Sequence, residues 1–127
     1  MISHFRDLFQ RVRLRPGMYG VQNYAETTSF VTGCDAAMGW MLLEGFREWL
    51  MLRLDEQSSL VWSALVLELT PGVTLQSARH LSDEVEAAVH DQLFDLLDQF
   101  LTVKEQHDGL RQVYAEYAAR RIEWDAR

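Results

Sequence analysis

The sequence predicts an all-α fold, a single-domain bundle of about five helices. Three observations lead there. Glycine and proline are scarce, seven and two in 127 residues, too few for the many turns of an all-β chain. Apolar residues recur at spacings of three, four and seven, the repeat of one helix face. Polar or Pro-Gly breaks separate these periodic segments, with residues able to cap a helix beside them. The chain is 48% hydrophobic, with four Trp, six Phe and four Tyr, enough for a core without staples.

The first helix runs over Ile2–Leu14, with Phe5, Leu8, Phe9 and Val12 on one face and Ser3 as its expected N-cap. Arg11, Arg13 and Arg15 crowd its C-terminal end, where the helix dipole favours cations, and Pro16 stops it. Pro16-Gly17 suits a type II turn, with Gly17 at positive φ. Met18 and Tyr19 are expected to tuck into the core, and Gly20 releases the chain into a polar loop. Thr27 or Thr28 then caps a long second helix reaching residue 54. Its broad apolar surface, from Phe30 and Val31 to Trp49 and Leu50, predicts a central helix. Gly33, Ala36, Ala37 and Gly39 would admit a neighbour at close range.

Ser58 or Ser59 caps a third helix over residues 60–69, with Val61, Trp62, Leu65, Val66 and Leu69 inward. The β-branched residues of this run also suit a strand; its length and the preceding serines favour helix. Thr70-Pro71-Gly72 breaks the chain, and a short helical piece is expected near residues 75–80. Ser82 caps a fourth helix of about 22 residues carrying the cleanest pattern in the chain. Val85, Val89, Leu93, Leu96, Phe100 and Val103 share one face. At 100° per residue, Glu84, Asp91, Asp95 and Asp98 fall within about 60° on the opposite one. A last helix starts at Asp108 and runs to about residue 124, with Leu110, Val113, Tyr114, Tyr117, Ala118 and Ile122 inward.

The net charge of −7 is unevenly spread. Residues 1–21 carry +3, residues 22–80 carry −4, residues 81–108 carry −7 and residues 109–127 carry +1. Such a concentration of acid opposes nucleic-acid binding and favours a basic partner; a merely solvated helix face is the alternative. The charged N-terminus does not read as a signal peptide, and Glu44, Arg47, Glu48 and Arg53 interrupt the richest apolar stretch. A cytoplasmic protein that neither enters a membrane nor binds nucleic acid is expected. The single cysteine, Cys34, excludes an intramolecular disulfide and reads as a packing residue.

Chemistry-bearing motifs are few. Glu86 and His90, or His80 and Glu84, stand four apart on a helix, but no third metal ligand accompanies either pair. The sequence holds no HExxH, GxGxxG or GxxxxGK[ST] pattern and no nucleophile elbow. No metal, cofactor or catalytic residue is expected, and the protein is read as a non-enzyme. An apolar excess at Trp40, Trp49 and Met51 would support a homodimer with a structural or regulatory role.

The distinctive stretch is Arg15-Pro16-Gly17-Met18-Tyr19-Gly20. It resembles a turn near the start of the ATPase domain of type II topoisomerases such as the gyrase B subunit. That family places Glu and Asn ligands for Mg-ATP on the helix that follows. Here the region reads Ser29-Phe30-Val31-Thr32-Gly33-Cys34-Asp35-Ala36-Ala37, without them, and ATP binding is rejected. The stretch also resembles a family of small bacterial immunity-like proteins of polymorphic and contact-dependent toxin systems. That resemblance extends over residues 5–101, through Ser29-Phe30, Phe46-Arg47-Glu48-Trp49-Leu50, Leu60-Val61-Trp62, Phe94 with Leu97, and Phe100-Leu101. The family more often has a hydrophobe between Tyr and Gly, missing here. The resemblance implies stoichiometric binding of one cognate toxin, such as a nuclease with a basic cleft. Glu84, Asp91, Asp95 and Asp98 would then be the partner-binding residues. Arg15, Pro16, Gly17, Met18, Tyr19 and Gly20 would be a structural turn.

Overall fold

A computed structural model describes residues 1–74 and 81–127. Among them the chain forms α1 (Ile2–Leu14), a 3₁₀ turn (Pro16–Tyr19), α2 (Tyr24–Ala37), α3 (Phe46–Leu54), α4 (Trp62–Glu68), α5 (Asp83–Glu105) and α6 (Gly109–Asp125). The all-α bundle is as expected, with one helix more because the long second helix divides. The piece expected near residues 75–80 lies outside the described residues.

The longest helix, α5, is the hub. Its Val89, Leu93, Phe94, Leu96, Leu97, Phe100 and Leu101 are all buried, and α1, α2, α4 and α6 each pack on it. Its start is as the sequence predicts: the Ser82 hydroxyl accepts from the Val85 N–H at 3.3 Å, and Asp83, Glu84 and Glu86 fill the first turn. Phe9 of α1 meets Phe94 with ring centroids 6.3 Å apart. Phe46 meets Phe100 at 5.1 Å and Trp62 at 5.7 Å, joining α3, α4 and α5 through one aromatic cluster.

The centre is therefore α5 and not the second helix. The expected 27–54 helix breaks after Ala37, where Gly39 and Trp40 both adopt left-handed backbone, φ 66° and 65°. Splitting lets α3 enter the core at its own angle, with Phe46, Leu50 and Met51 fully buried and Trp49 nearly so. A straight continuation would have kept the α2 axis. The expected close packing along Gly33, Ala36 and Ala37 is not found. All three are exposed, and a Cβ built on Gly33 meets nothing within 4 Å.

Several caps differ from expectation. Met1, not Ser3, precedes α1, and no side chain caps it. Asn23, not Thr27 or Thr28, caps α2 by accepting from the Glu26 N–H at 2.8 Å, while Glu26 accepts from the Gln22 N–H at 2.9 Å. This reciprocal arrangement starts the helix a turn early and buries Tyr24 and Thr27. The run over residues 60–69 is a helix and not a strand, but Val61 precedes it without a side-chain cap and stays exposed. Ser58 instead accepts from the Leu60 N–H at 3.1 Å, closing the loop before the helix. On α6 the buried side chains are Val113 and Trp124, whereas Ala118 and Ile122 face solvent.

The far end of α6 is held by the buried Trp124 and by polar bonds to one carboxylate. Asp55, the left-handed cap of α3 (φ 59°), accepts from Trp124 Nε1 at 3.0 Å, from Arg120, and from Arg127 Nη2 at 3.2 Å. The Trp124 hydrogen bond first, then those of the two arginines, hold its carboxyl well below the usual carboxylate range. The last turn of α6 is thereby drawn to α3 although most of its surface remains in water.

Candidate functional site

The amphipathic pattern of α5 sends its acids outward and its apolar side chains inward. The outward face is not bare, because α1 runs antiparallel along it. Arg13 near one end of α1 donates from Nη1 to Asp95 Oδ1 at 2.6 Å and lies 3.5 Å from Asp91 Oδ1. Arg6, two turns earlier, donates from Nε to Asp98 Oδ1 at 3.0 Å and from Nη1 to Glu105 Oε2 at 3.3 Å. The hydrogen bond that Arg13 donates to Asp95, opposed by burial, raises the pKa of Arg13; the one that Arg6 donates to Asp98 does the same for Arg6.

These two clasps bound an open polar groove lined by Ser3, Arg6, Asp7, Gln10, Arg13, Asp95, Asp98 and Gln99. Counting Asp91 and Glu105, which pair from its edges, five carboxylates face two guanidiniums, and the groove is net negative. Its acids stay wet: the side chains of Asp91, Asp95 and Asp98 keep 67%, 51% and 38% of their exposure. Ion pairs this exposed contribute roughly 0–1 kcal/mol each, so they orient the carboxylates more than they stabilise the fold.

Three of the four acids singled out from the sequence thus stand together at this groove. Glu84 is apart, about 10 Å nearer the start of α5 at a rise of 1.5 Å per residue. It is exposed and has no side-chain partner among the described residues. The partners Arg6 and Arg13 are what sequence reasoning missed. A signal for them exists: Arg6 and Arg13 are seven apart, as are Asp91, Asp98 and Glu105, so both rows repeat every two turns and can register.

The helical Glu86–His90 pair does not converge on a common point. Glu86 accepts from the Tyr24 N–H at 2.8 Å, and His90 Nε2 lies 3.1 Å from the Arg13 carbonyl. No group of three His, Cys, Asp or Glu residues able to hold a metal exists among the described residues. Cys34 is half-buried, and burial pushes its thiol pKa up, away from the reactive thiolate. No helix among the described residues is long and apolar enough to cross a membrane.

The Arg15–Gly20 stretch departs from expectation in two ways. It is a 3₁₀ turn and not type II, with Gly20 (φ 72°) in place of Gly17 as the left-handed residue. Met18 is 73% exposed, and only Tyr19 turns inward, edge-on to Phe30 at 6.0 Å. In the 3₁₀ turn neighbouring side chains point about 120° apart, and with Tyr19 turned to Phe30 the Met18 side chain is directed to solvent. Compared with known proteins, the chain matches no family model, no curated protein and no solved structure.

Proposed function

We propose that this chain is a non-enzymatic, immunity-type binding protein of a bacterial cytoplasm. It neutralises a cognate protein toxin by stoichiometric binding through its acidic surface. The observation that carries the reading is the groove of exposed carboxylates braced by Arg6 and Arg13. Each braced carboxylate retains lone pairs toward solvent and is already oriented. A basic partner that adds Lys or Arg donors has less side-chain freedom to remove on binding. The net negative groove also steers a basic surface, such as a nuclease cleft, and excludes the phosphate backbone that the cleft would otherwise hold. Glu84 extends the same charge along α5 and supplies a contact unpaired among the described residues.

Purification of the tagged protein from its own cells tests this reading. We expect one basic protein, encoded beside it, to co-purify at equal stoichiometry and to dissociate as salt rises. Glu84→Lys and Asp91→Lys together should weaken that complex by about tenfold or more, while the thermal melt of the free protein hardly moves. Absence of a stoichiometric partner, or binding indifferent to both substitutions, would overturn it.

A second reading, a homodimer with a structural or regulatory role, is favoured by one observation. Trp40 and Met41 are 62% and 61% exposed side by side on one loop. Trp49 and Met51 cannot join them, since both are buried. Sedimentation that gives a strict monomer at high concentration removes this reading.

A further inference from the structure

The Arg-Pro-Gly-Met-Tyr corner is left unexplained by the groove. The last turn of α1 and the 3₁₀ turn leave two long apolar side chains in water, Leu14 at 80% exposure and Met18 at 73%. With Arg11, Arg15 and Tyr19 they line a hollow of about 280 Å³. The backbone beneath is closed on itself. The Met18 N–H donates to the Arg15 carbonyl at 3.1 Å, the Gly20 N–H to Gly17 at 3.3 Å and the Val21 N–H to Pro16 at 3.1 Å. Tyr19 is seated on Phe30 and Val21 is buried, so the corner is anchored from below while its outer side chains have no apolar cover.

Charge adds a direction. Arg6 and Arg13 are engaged by α5, whereas Arg11 and Arg15 make no side-chain hydrogen bond or ion pair among the described residues. In a chain of net charge −7 the corner therefore presents two unpaired guanidiniums around an apolar hollow. Two positions along a helix turn by about 200°, so Arg11 points away from the side of α1 that Arg13 gives to the groove.

We propose that this corner docks an acidic protein segment bearing an apolar side chain. The apolar group sits between Leu14, Met18 and Tyr19, and flanking carboxylates pair with Arg11 and Arg15. Methionine adapts its shape to an inserted group, and a guanidinium takes a carboxylate through two parallel hydrogen bonds. A narrow segment is favoured over an extended anionic bilayer. Asp7 stands one turn before Arg11, and in a chain of net charge −7 an extended sheet of anionic lipid would meet repulsion beyond the two guanidiniums. The proposal is independent of the groove and stands or falls separately from it.

Three fluorescent peptides and the full-length protein test it: one with a central leucine among glutamates, one with lysines replacing the glutamates, and one with serine replacing the leucine. The glutamate–leucine peptide should bind, and each control should bind about tenfold or more weakly. Arg11→Glu with Arg15→Glu should abolish binding, and Met18→Ser should weaken it, with the helical circular dichroism signal unchanged in both. Asp91→Lys, on the groove, should leave it intact. Binding that survives the double arginine reversal, or equal binding of all three peptides, would overturn the proposal. So would preferential recruitment to phosphatidylglycerol vesicles, or self-association that the arginine reversal removes, since these assign the corner to a membrane or to a second copy.

Discussion

Two of the corners that turn this chain between helices lie at residues 15–20 and at residues 38–45. Both use left-handed backbone, and both leave a methionine in water, Met18 in one and Met41 in the other. They are held by different forces. The first is local: Pro16 ends α1, three short-range backbone bonds close the turn, and a Cβ built on Gly20 meets nothing within 4 Å. The second has local bonds too, from the end of α2, but is also held from another helix. The half-exposed run is clamped by the buried Asp35, whose carboxylate accepts from the Leu43 N–H at 2.9 Å and whose carbonyl accepts from the Trp40 N–H at 2.8 Å. Lys104 of α5 donates from Nζ to the Met41 and Leu42 carbonyls at 2.6 and 2.9 Å, and burial lowers its pKa. A corner made by neighbours in sequence tolerates change around it, while one made by neighbours in space depends on groups many residues away.

The largest difference between the corners is expected at their terminal glycines. Gly45 has φ 88°, and a Cβ there would lie 2.4 Å from Leu110 Cδ1. Gly45→Ala adds to left-handed strain a clash that the half-exposed Leu110 side chain can only partly relieve by shifting, and should cost about 2.5 kcal/mol in urea unfolding. Gly20→Ala, at a similar φ in open space, should cost only about 1 kcal/mol. Equal losses at the two sites would remove the distinction between a space-limited and a backbone-limited corner.

Asp35→Ala comes next below Gly45→Ala. It leaves the buried Leu43 N–H without its acceptor, and the expected loss is about 2 kcal/mol. Hydrogen exchange at that amide should accelerate by more than global unfolding requires, while the amides of Met18 and Gly20 keep their rates. If both corners loosen together, the clamp is not local to the second one.

The smallest effect is expected at Trp40, a bulky residue at φ 65° with most of its side chain in water. Trp40→Asn trades a residue disfavoured in left-handed backbone for one that tolerates it. Stability should change by less than about 0.5 kcal/mol, or rise slightly, in a thermal melt. A loss above about 2 kcal/mol would mean that the indole packs on the fold and is not simply displayed by it.

The comparison also explains what could be read in advance. Pro16 marks a stop in any context, α1 follows its helical period although no side chain caps its start, and Ser82 starts α5 by a local cap, so both helices were legible. The break after Ala37 was not. Residues 38–45 continue an apolar run without proline, and their turn requires Asp35 of α2 and Lys104 of α5 to bond the same loop. Legibility failed in the same way at the candidate site. The outward direction of Asp91, Asp95 and Asp98 follows from helical period alone. Their pairing with Arg6 and Arg13 requires α1 to lie antiparallel on α5, which period does not state. Apolar character alone predicts Met18 inward; in the 3₁₀ turn the inward place goes to Tyr19 and Met18 faces solvent.

Local forces act between residues a few positions apart, so the sequence by itself determined the helical class, the start and end of α1, the capped start of α5 and which of its faces is charged. Contacts between distant segments depend on how whole helices pack. Only the tertiary structure decided that α5 is the hub, that α2 and α3 part at a clamped corner, and that two arginines of α1 lie on the acids of α5. It also decided that Arg11 and Arg15 remain unpaired among the described residues, beside Leu14 and Met18. A charge pattern shows which side chains seek partners; the packing of the helices selects which of them find one inside the molecule.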